Sequence, residues 1–114
     1  MTDNHTKLGG APYAVSESGI RQLLGEGWRL EAECIESAAE RHSNIFGRWA
    51  VRIVAPDESI ARYLTTTRNI MEMRLFKTTN GLISFMDGLG VAGPRVPMRK
   101  GEIFVQNLSG PEAE

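Results

Sequence analysis

The side chains best suited to bind a metal ion lie close together in the first half of the chain. Cys34 and His42 flank two acidic residues, Glu36 and Glu40, so a thiol, an imidazole and two carboxylates fall within one short segment. A zinc site needs three or four ligands at constrained spacing, and one cysteine and one histidine on either side of a loop do not supply it. We expect a packed thiol and a solvated histidine, with no metal site and no cofactor.

A glycine pattern of the type G-x-G-x-x-G begins at Gly88 and ends at Gly93. In dinucleotide-binding proteins this pattern follows a strand and opens a helix, whose N-terminus then faces the pyrophosphate. Here the pattern closes a predicted helix and continues into Pro94. It therefore predicts a helix end followed by a loop, not a nucleotide site.

Catalytic side chains are not paired in any recognisable way. The serines of the folded part lack the sharp turn that exposes a catalytic serine, and Cys34 falls on a predicted core face, where a thiol is usually inert. Glu31 and Glu33 share one strand face, but Arg29 lies beside them, which favours ion pairs over acid–base chemistry. We predict that the protein is not an enzyme.

Basic residues are the best candidates for a binding function because charge is unevenly distributed. Residues 41–100 carry ten basic and four acidic side chains, whereas the segments on either side are acidic overall. Three arginines fall on the predicted outer sheet face, and three basic residues share one loop: Arg48, Arg52, Arg74, Arg95, Arg99 and Lys100. Such a surface can follow a phosphate backbone. The alternative is that neighbouring glutamates neutralise the sheet arginines.

Hydrophobic periodicity predicts four strands and three helices. Alternation of apolar and polar residues places the first three strands at about 28–36, 46–54 and 70–77, and the last strand is expected at about 102–108. Helical spacing places the helices at about 17–25, 58–66 and 80–89. The order α-β-β-α-β-α-β predicts an α+β fold, with a four-stranded, mostly antiparallel sheet and helices packed on one face.

One domain is expected over residues 15–108, with flexible tails at 1–14 and 109–114. The predicted core takes alternate residues of two strands and one face of the last helix. Its members are Trp49, Val51, Ile53, Met73, Leu75, Leu82, Phe85, Met86 and Leu89. The tails are polar or rich in glycine and proline, so they contribute nothing to this core.

The stretch from Met73 to Gly90, MRLFKTTNGLISFMDGLG, resembles a segment of small accessory proteins of bacterial plasmids and integrative elements, some of them labelled partition-associated. The shared features are a strand, an F-K-T turn and a helix that ends in glycine. The resemblance covers about eighteen of the 114 residues. It implies a bacterial mobile-element context without a defined activity or functional residues.

Two functions remain open. The first is a non-enzymatic interaction or assembly protein that binds another protein or itself as a homodimer. The alternative is a nucleic-acid-binding regulator that uses the six basic residues named above; the acidic ends of the chain would repel a polyanion and favour the first. No apolar run approaches the about 20 residues of a membrane span. With no signal-peptide pattern and a single cysteine, we expect a cytoplasmic protein without a membrane partner.

Overall fold

The computed structural model describes residues 14–69 and 71–108. The elements, in chain order, are β1 (Ala14–Val15), α1 (Glu17–Gly25), β2 (Arg29–Arg41), β3 (Asn44–Val54), β4 (Ala61–Leu64), β5 (Phe76–Thr78), α2 (Thr79–Gly88) and β6 (Ile103–Val105). The α+β class is therefore confirmed. The predicted tails lie outside the described residues, except that Ala14 begins β1.

Six strands form one sheet in the order β1-β4-β3-β2-β6, with β5 beside β3. The prediction of a four-stranded sheet is therefore wrong in the number of strands. The strand pairs are antiparallel except for β1 with β4, so the mostly antiparallel prediction is confirmed. The β2–β3 hairpin turns through His42 and Ser43, both with positive φ, and extends pairing to Arg41 and Asn44.

The predicted helix at 58–66 is wrong, because this segment forms β4. Asp57 caps a turn and not a helix: its carboxylate accepts a hydrogen bond from the Ser59 amide at 2.9 Å. Ala61 and Tyr63 then face one side of the sheet, and Leu64 faces the other. Pairing with β3 on one side and β1 on the other outweighs the helical spacing of the apolar residues.

The strand predicted at 70–77 is also shorter than expected. Only Phe76–Thr78 forms a strand, β5, while Met73 makes an isolated bridge to Thr65. The backbone amide of Arg74 donates to the Leu64 carbonyl at 2.9 Å. The residues just before β5 therefore lie against the end of β4, and only β5 itself pairs with β3. The element order thus departs from the predicted one.

Both helices pack on the same face of the sheet, as predicted. Alternate residues of β2 and β3 meet Ile20 of α1 and Leu82 and Met86 of α2. Six of the nine predicted core residues are buried, and Leu75, Phe85 and Leu89 are half-buried. Ser16 caps α1 and Thr78 caps α2, each accepting a backbone amide. The G-x-G-x-x-G pattern ends α2, with Gly90 at φ 93°.

Strand β2 has two register shifts, and the loop before β6 is hydrogen-bonded to this irregular part of the strand. Its register shifts between Cys34 and Glu36 and again between Glu36 and Ala39. Across this bulged stretch the Ala38 amide bonds to the Met98 carbonyl at 2.9 Å, and the Gly101 amide to the Cys34 carbonyl at 2.8 Å. The loop is thereby fixed against one end of the sheet.

Candidate functional site

The six basic residues proposed from the sequence do not share one surface. Arg48 and Arg52 lie on the outer face, defined here as the sheet face opposite the helices. Arg74 lies on the helix side, where its guanidinium stacks 4.6 Å from the centre of the Phe76 ring. The prediction that Arg74 lies on the outer face is wrong. Residue 74 comes before β5, so the alternation of side chains along a strand does not apply to it.

The loop residues also separate into two groups, at opposite ends of β6. Arg95 stacks 4.8 Å above the Phe104 ring, which faces the helix side, and its amide bonds to the buried Gln106 side chain at 2.8 Å. Arg99 and Lys100 occupy the turn that lies against the bulged stretch of β2. The Lys100 amide there donates to Ser37 Oγ at 2.8 Å. The loop therefore presents no single basic patch.

The middle of the outer face carries a network of ion pairs centred on Glu31. The buried carboxylate of Glu31 accepts from Arg29 Nε and from Arg52 Nε, both at 2.7 Å. The ion pairs expected from the sequence are confirmed for Glu31, whereas Glu33 makes none among the described residues. Arg52 is consequently committed to Glu31 and is not free to bind a phosphate.

A second buried carboxylate, Glu33, accepts a hydrogen bond from the Tyr63 hydroxyl at 2.5 Å. Tyr63 lies on β4 and Glu33 on β2, so the phenol must cross the intervening strand β3. The residue of β3 opposite Glu33 is Ala50, whose small side chain leaves that path open. Burial, followed by the bond to Glu33, raises the pKa of Tyr63 to about 12, so the hydroxyl remains a donor at neutral pH.

Cys34 is packed as the sequence predicted. Burial raises the pKa of its thiol, and the nearby carboxylates of Glu102 and Glu33 raise it further. The thiol donates to the Glu36 carbonyl, with Sγ 3.2 Å from the oxygen. His42 is exposed at the hairpin turn, as expected. A protonated, buried thiol of this kind is a poor nucleophile.

Strand β6 forms one edge of the sheet among the described residues. The Cys34 amide bonds to the Glu102 carbonyl and the Gln106 amide to the Leu30 carbonyl, so the antiparallel ladder turns the backbone groups of Ile103 and Val105 away from β2. Their side chains are 39% and 40% exposed on the outer face. This β6 edge is the most apolar exposed strand of the described part of the chain.

A concave basic site lies at the far end of the outer face and is called the hairpin-end pocket. It has a volume of about 300 Å³ and is lined by Glu36, Ser37, Ala39, Arg41, Phe46, Gly47, Arg48 and Lys77. Arg41 stacks on Phe46 at 4.9 Å from the ring centre. Arg48 Nε lies 3.3 Å from Glu36 Oε1. Lys77 is exposed and makes no ion pair within residues 14–69 and 71–108.

Sequence reasoning identified Arg48 in this pocket but missed Arg41 and Lys77. Arg41 lies between the first two predicted strands, outside both, and it reaches the pocket because β2 continues to the hairpin turn. Lys77 arrives from β5, which pairs with β3 at Phe46 and Thr78. No local spacing in the chain signals either contact, since both depend on strand pairing.

Comparisons with known proteins leave these sites to be interpreted from the chain itself. No protein-family model matches the chain, and neither does any curated protein or solved structure. Among residues 14–69 and 71–108, no three or more histidine, cysteine or acidic side chains are grouped to hold a metal. In the same residues, no helix has both the length and the apolar character needed to span a membrane.

Proposed function

We propose that this protein is a small, non-enzymatic assembly module whose copies pair through the β6 edge. The observation that supports this is the exposed strand Ile103-Phe104-Val105, whose outward backbone groups have no strand beside them among the described residues. Natural sheets protect such edges with lysine, proline or bulges. β6 has none of these three and is protected only by its length of three residues, so its outward backbone groups remain open to a strand of another copy.

A two-fold pairing centred on Phe104 fits the pattern of side chains along β6. Ile103 then lies opposite Val105 of the second copy, and each such pair exchanges its two outward backbone hydrogen bonds, as in an antiparallel ladder. The aliphatic side chains of the two copies meet on the outer face. The two six-stranded sheets would join into one continuous sheet.

The charges that flank this seam are compatible with self-pairing. The next register pair places Glu102 opposite Gln106 of the second copy, so no like charges face each other. The Glu102 carboxylate is already held by the amides of Met98 and Arg99, at 3.1 and 3.0 Å. Gln106 is buried and bonded to Arg95 through both ends of its amide. Neither group obstructs an incoming strand.

The test is light scattering after size exclusion over a range of protein concentrations. We expect the unmodified chain to form concentration-dependent dimers and Ile103→Lys to remain monomeric, because lysine charges would oppose each other near the seam. Ile83→Lys is the matched control, since Ile83 on α2 is 38% exposed and the chemical change is identical. A monomeric unmodified chain, or equal dissociation by the control, would contradict the proposal.

The non-enzymatic part of the proposal has its own support. Cys34 is buried with a raised pKa, and the buried carboxylates Glu31 and Glu33 accept hydrogen bonds from Arg29, Arg52 and Tyr63. A bacterial mobile-element context belongs to the same proposal and rests on the resemblance of residues 73–90. It predicts that the gene lies beside plasmid or integrative-element genes, and that cell fractionation places the protein in the cytoplasm.

The second candidate function is nucleic-acid binding, and one observation favours it. Arg99 and Lys100 lie at the same end of the sheet as Arg48, because the Lys100 amide bonds to Ser37 beside the hairpin-end pocket. Fluorescence anisotropy with single-stranded and duplex DNA at two salt concentrations tests it. Binding should weaken steeply with salt, with a log–log slope near −0.9 for each phosphate neutralised in duplex DNA.

A further inference from the structure

We infer that the hairpin-end pocket binds the phosphate group of a small ligand. Arg41, Arg48 and Lys77 come from β2, β3 and β5 and converge on one cavity of about 300 Å³. A single carboxylate, Glu36, accompanies these three cations, so the lining keeps a net positive charge. The inference does not depend on pairing through the β6 edge.

Arg41 is oriented by an aromatic ring. Its guanidinium lies 4.9 Å from the centre of the Phe46 ring, and Phe46 is itself fixed between Ala39 of β2 and Thr78 of β5. A planar guanidinium held against a ring keeps its N–H groups directed along its edge, where they can donate to two phosphate oxygens. The stack therefore favours phosphate over a monatomic anion such as chloride, which offers no second acceptor atom.

Ser37 supplies a neutral hydrogen-bond donor to the same cavity. Its Oγ accepts from the Lys100 amide at 2.8 Å, which leaves the hydroxyl hydrogen free to donate. The register shift between Glu36 and Ala39 is what turns residue 37 toward the pocket. A hydroxyl beside two arginines and a lysine is a combination that suits phosphate oxygens.

The shape of the site favours a small phosphate ligand over a duplex. Other basic residues do not continue a phosphate-binding track along the outer face: Arg52 pairs with the buried Glu31, and Arg74 and Arg95 lie on the helix side. The volume lies at the lower end of the range for small-ligand pockets. A terminal phosphate or a diphosphate can enter it without contacting a long strip of protein surface.

Calorimetric titration with pyrophosphate and with ADP, at low ionic strength, tests the assignment. Lys77→Gln and Arg41→Gln should each weaken binding about tenfold, because each removes a charge-assisted hydrogen bond. Arg68→Gln is the matched control, since Arg68 is exposed and lines a different cavity with the same loss of charge. Amide NMR spectra of each variant verify the fold and should show ligand shifts at residues 36–48 and 77.

Glu36→Gln is expected to change the affinity for pyrophosphate in the opposite direction. Removing this carboxylate releases Arg48 from its 3.3 Å pair and should tighten pyrophosphate binding about threefold to tenfold. A single-stranded oligonucleotide titrated in parallel identifies the source of the phosphate: weaker binding than ADP supports the small ligand. No binding of pyrophosphate or ADP by the unmodified chain would overturn the inference. So would a loss in Arg68→Gln equal to that in Lys77→Gln, or binding of the oligonucleotide alone.

Discussion

Two parts of the outer face use the same residue types for different purposes. In the middle, Arg29 and Arg52 hold Glu31, whose side chain is only 4% exposed. At the hairpin end, Arg48 pairs with Glu36, whose side chain is 63% exposed. The Arg52–Glu31 and Arg48–Glu36 pairs both cross between β2 and β3, so the difference lies in the burial of the carboxylate and not in the topology.

Burial decides whether an arginine is structural or available. A buried carboxylate that loses its partners retains an unpaired charge, and breaking such a pair costs about 3–5 kcal/mol when both groups are desolvated. An exposed pair contributes about 0–1 kcal/mol, because water solvates both groups when they separate. Arg52 is therefore held in place, whereas Arg48 can exchange Glu36 for an incoming anion at little cost.

The largest effect is expected from Glu31→Ala. Two guanidiniums lose their common acceptor, and the free energy of unfolding should fall by about 2–3 kcal/mol, less than for a fully desolvated pair because Arg29 and Arg52 are partly solvated. Urea denaturation followed by tryptophan fluorescence measures the change. Glu40→Ala on the exposed part of β2 is the control and should change stability by less than about 0.5 kcal/mol. Equal losses in the two variants would show that the network is not structural.

Tyr63→Phe should have an intermediate effect, because it leaves Glu33 buried without its hydroxyl donor. We expect a loss of about 1–2 kcal/mol at pH 7, since Tyr63 is half-buried and the lost bond is to a charged acceptor. The ordinary pKa of tyrosine is about 10 and the folded value is about 12. The bond's contribution is therefore complete below pH 10 and is lost as pH rises toward 12.

Denaturation at pH 7, 9 and 11 tests the pH dependence of this contribution. The gap in stability between the unmodified chain and Tyr63→Phe should stay constant up to about pH 9 and narrow at pH 11, because the folded tyrosine resists ionisation that the unfolded chain undergoes. A gap that widens at pH 11 would contradict the hydrogen bond to Glu33. Because Tyr63→Phe lacks only this hydroxyl, its stability at each pH accounts for every other effect of alkaline pH on the fold.

The hairpin strands could be predicted from the sequence, because Trp49, Val51 and Ile53 alternate with polar residues and the fold keeps that alternation. The burial of Glu31 could not be predicted, because no local sequence pattern shows that Arg29, Arg52 and neighbouring side chains would enclose it. The segment around Ile60, Ala61 and Leu64 fits a helix and a strand equally well, and only pairing with β3 and β1 decides for β4. Local patterns thus predict which residues face the core, while pairing between distant strands determines how the outer face is organised.

The pocket could be predicted only in part, and for the same reason. Arg48 was accessible to sequence reasoning because it lies in a regular strand. Ser37 enters the pocket through the irregular register of β2, and Lys77 enters through the pairing of β5 with β3. Neither a bulge nor a long-range strand pair leaves a periodic signal in the chain.

The smallest effect on stability is expected from Glu36→Gln. Its dependence on salt distinguishes the hairpin end from the middle of the outer face most directly. The pair of Glu36 with Arg48 is exposed, so stability should change by less than about 1 kcal/mol in dilute buffer. In 1 M NaCl the change should fall toward zero, because the Debye length shrinks to about 3 Å and screens exposed charges. The loss caused by Glu31→Ala should persist in the same salt, since its carboxylate is buried. If high salt abolished both effects, the middle of the outer face would be as solvated as the hairpin end, and Arg52 would be as available to an anion as Arg48.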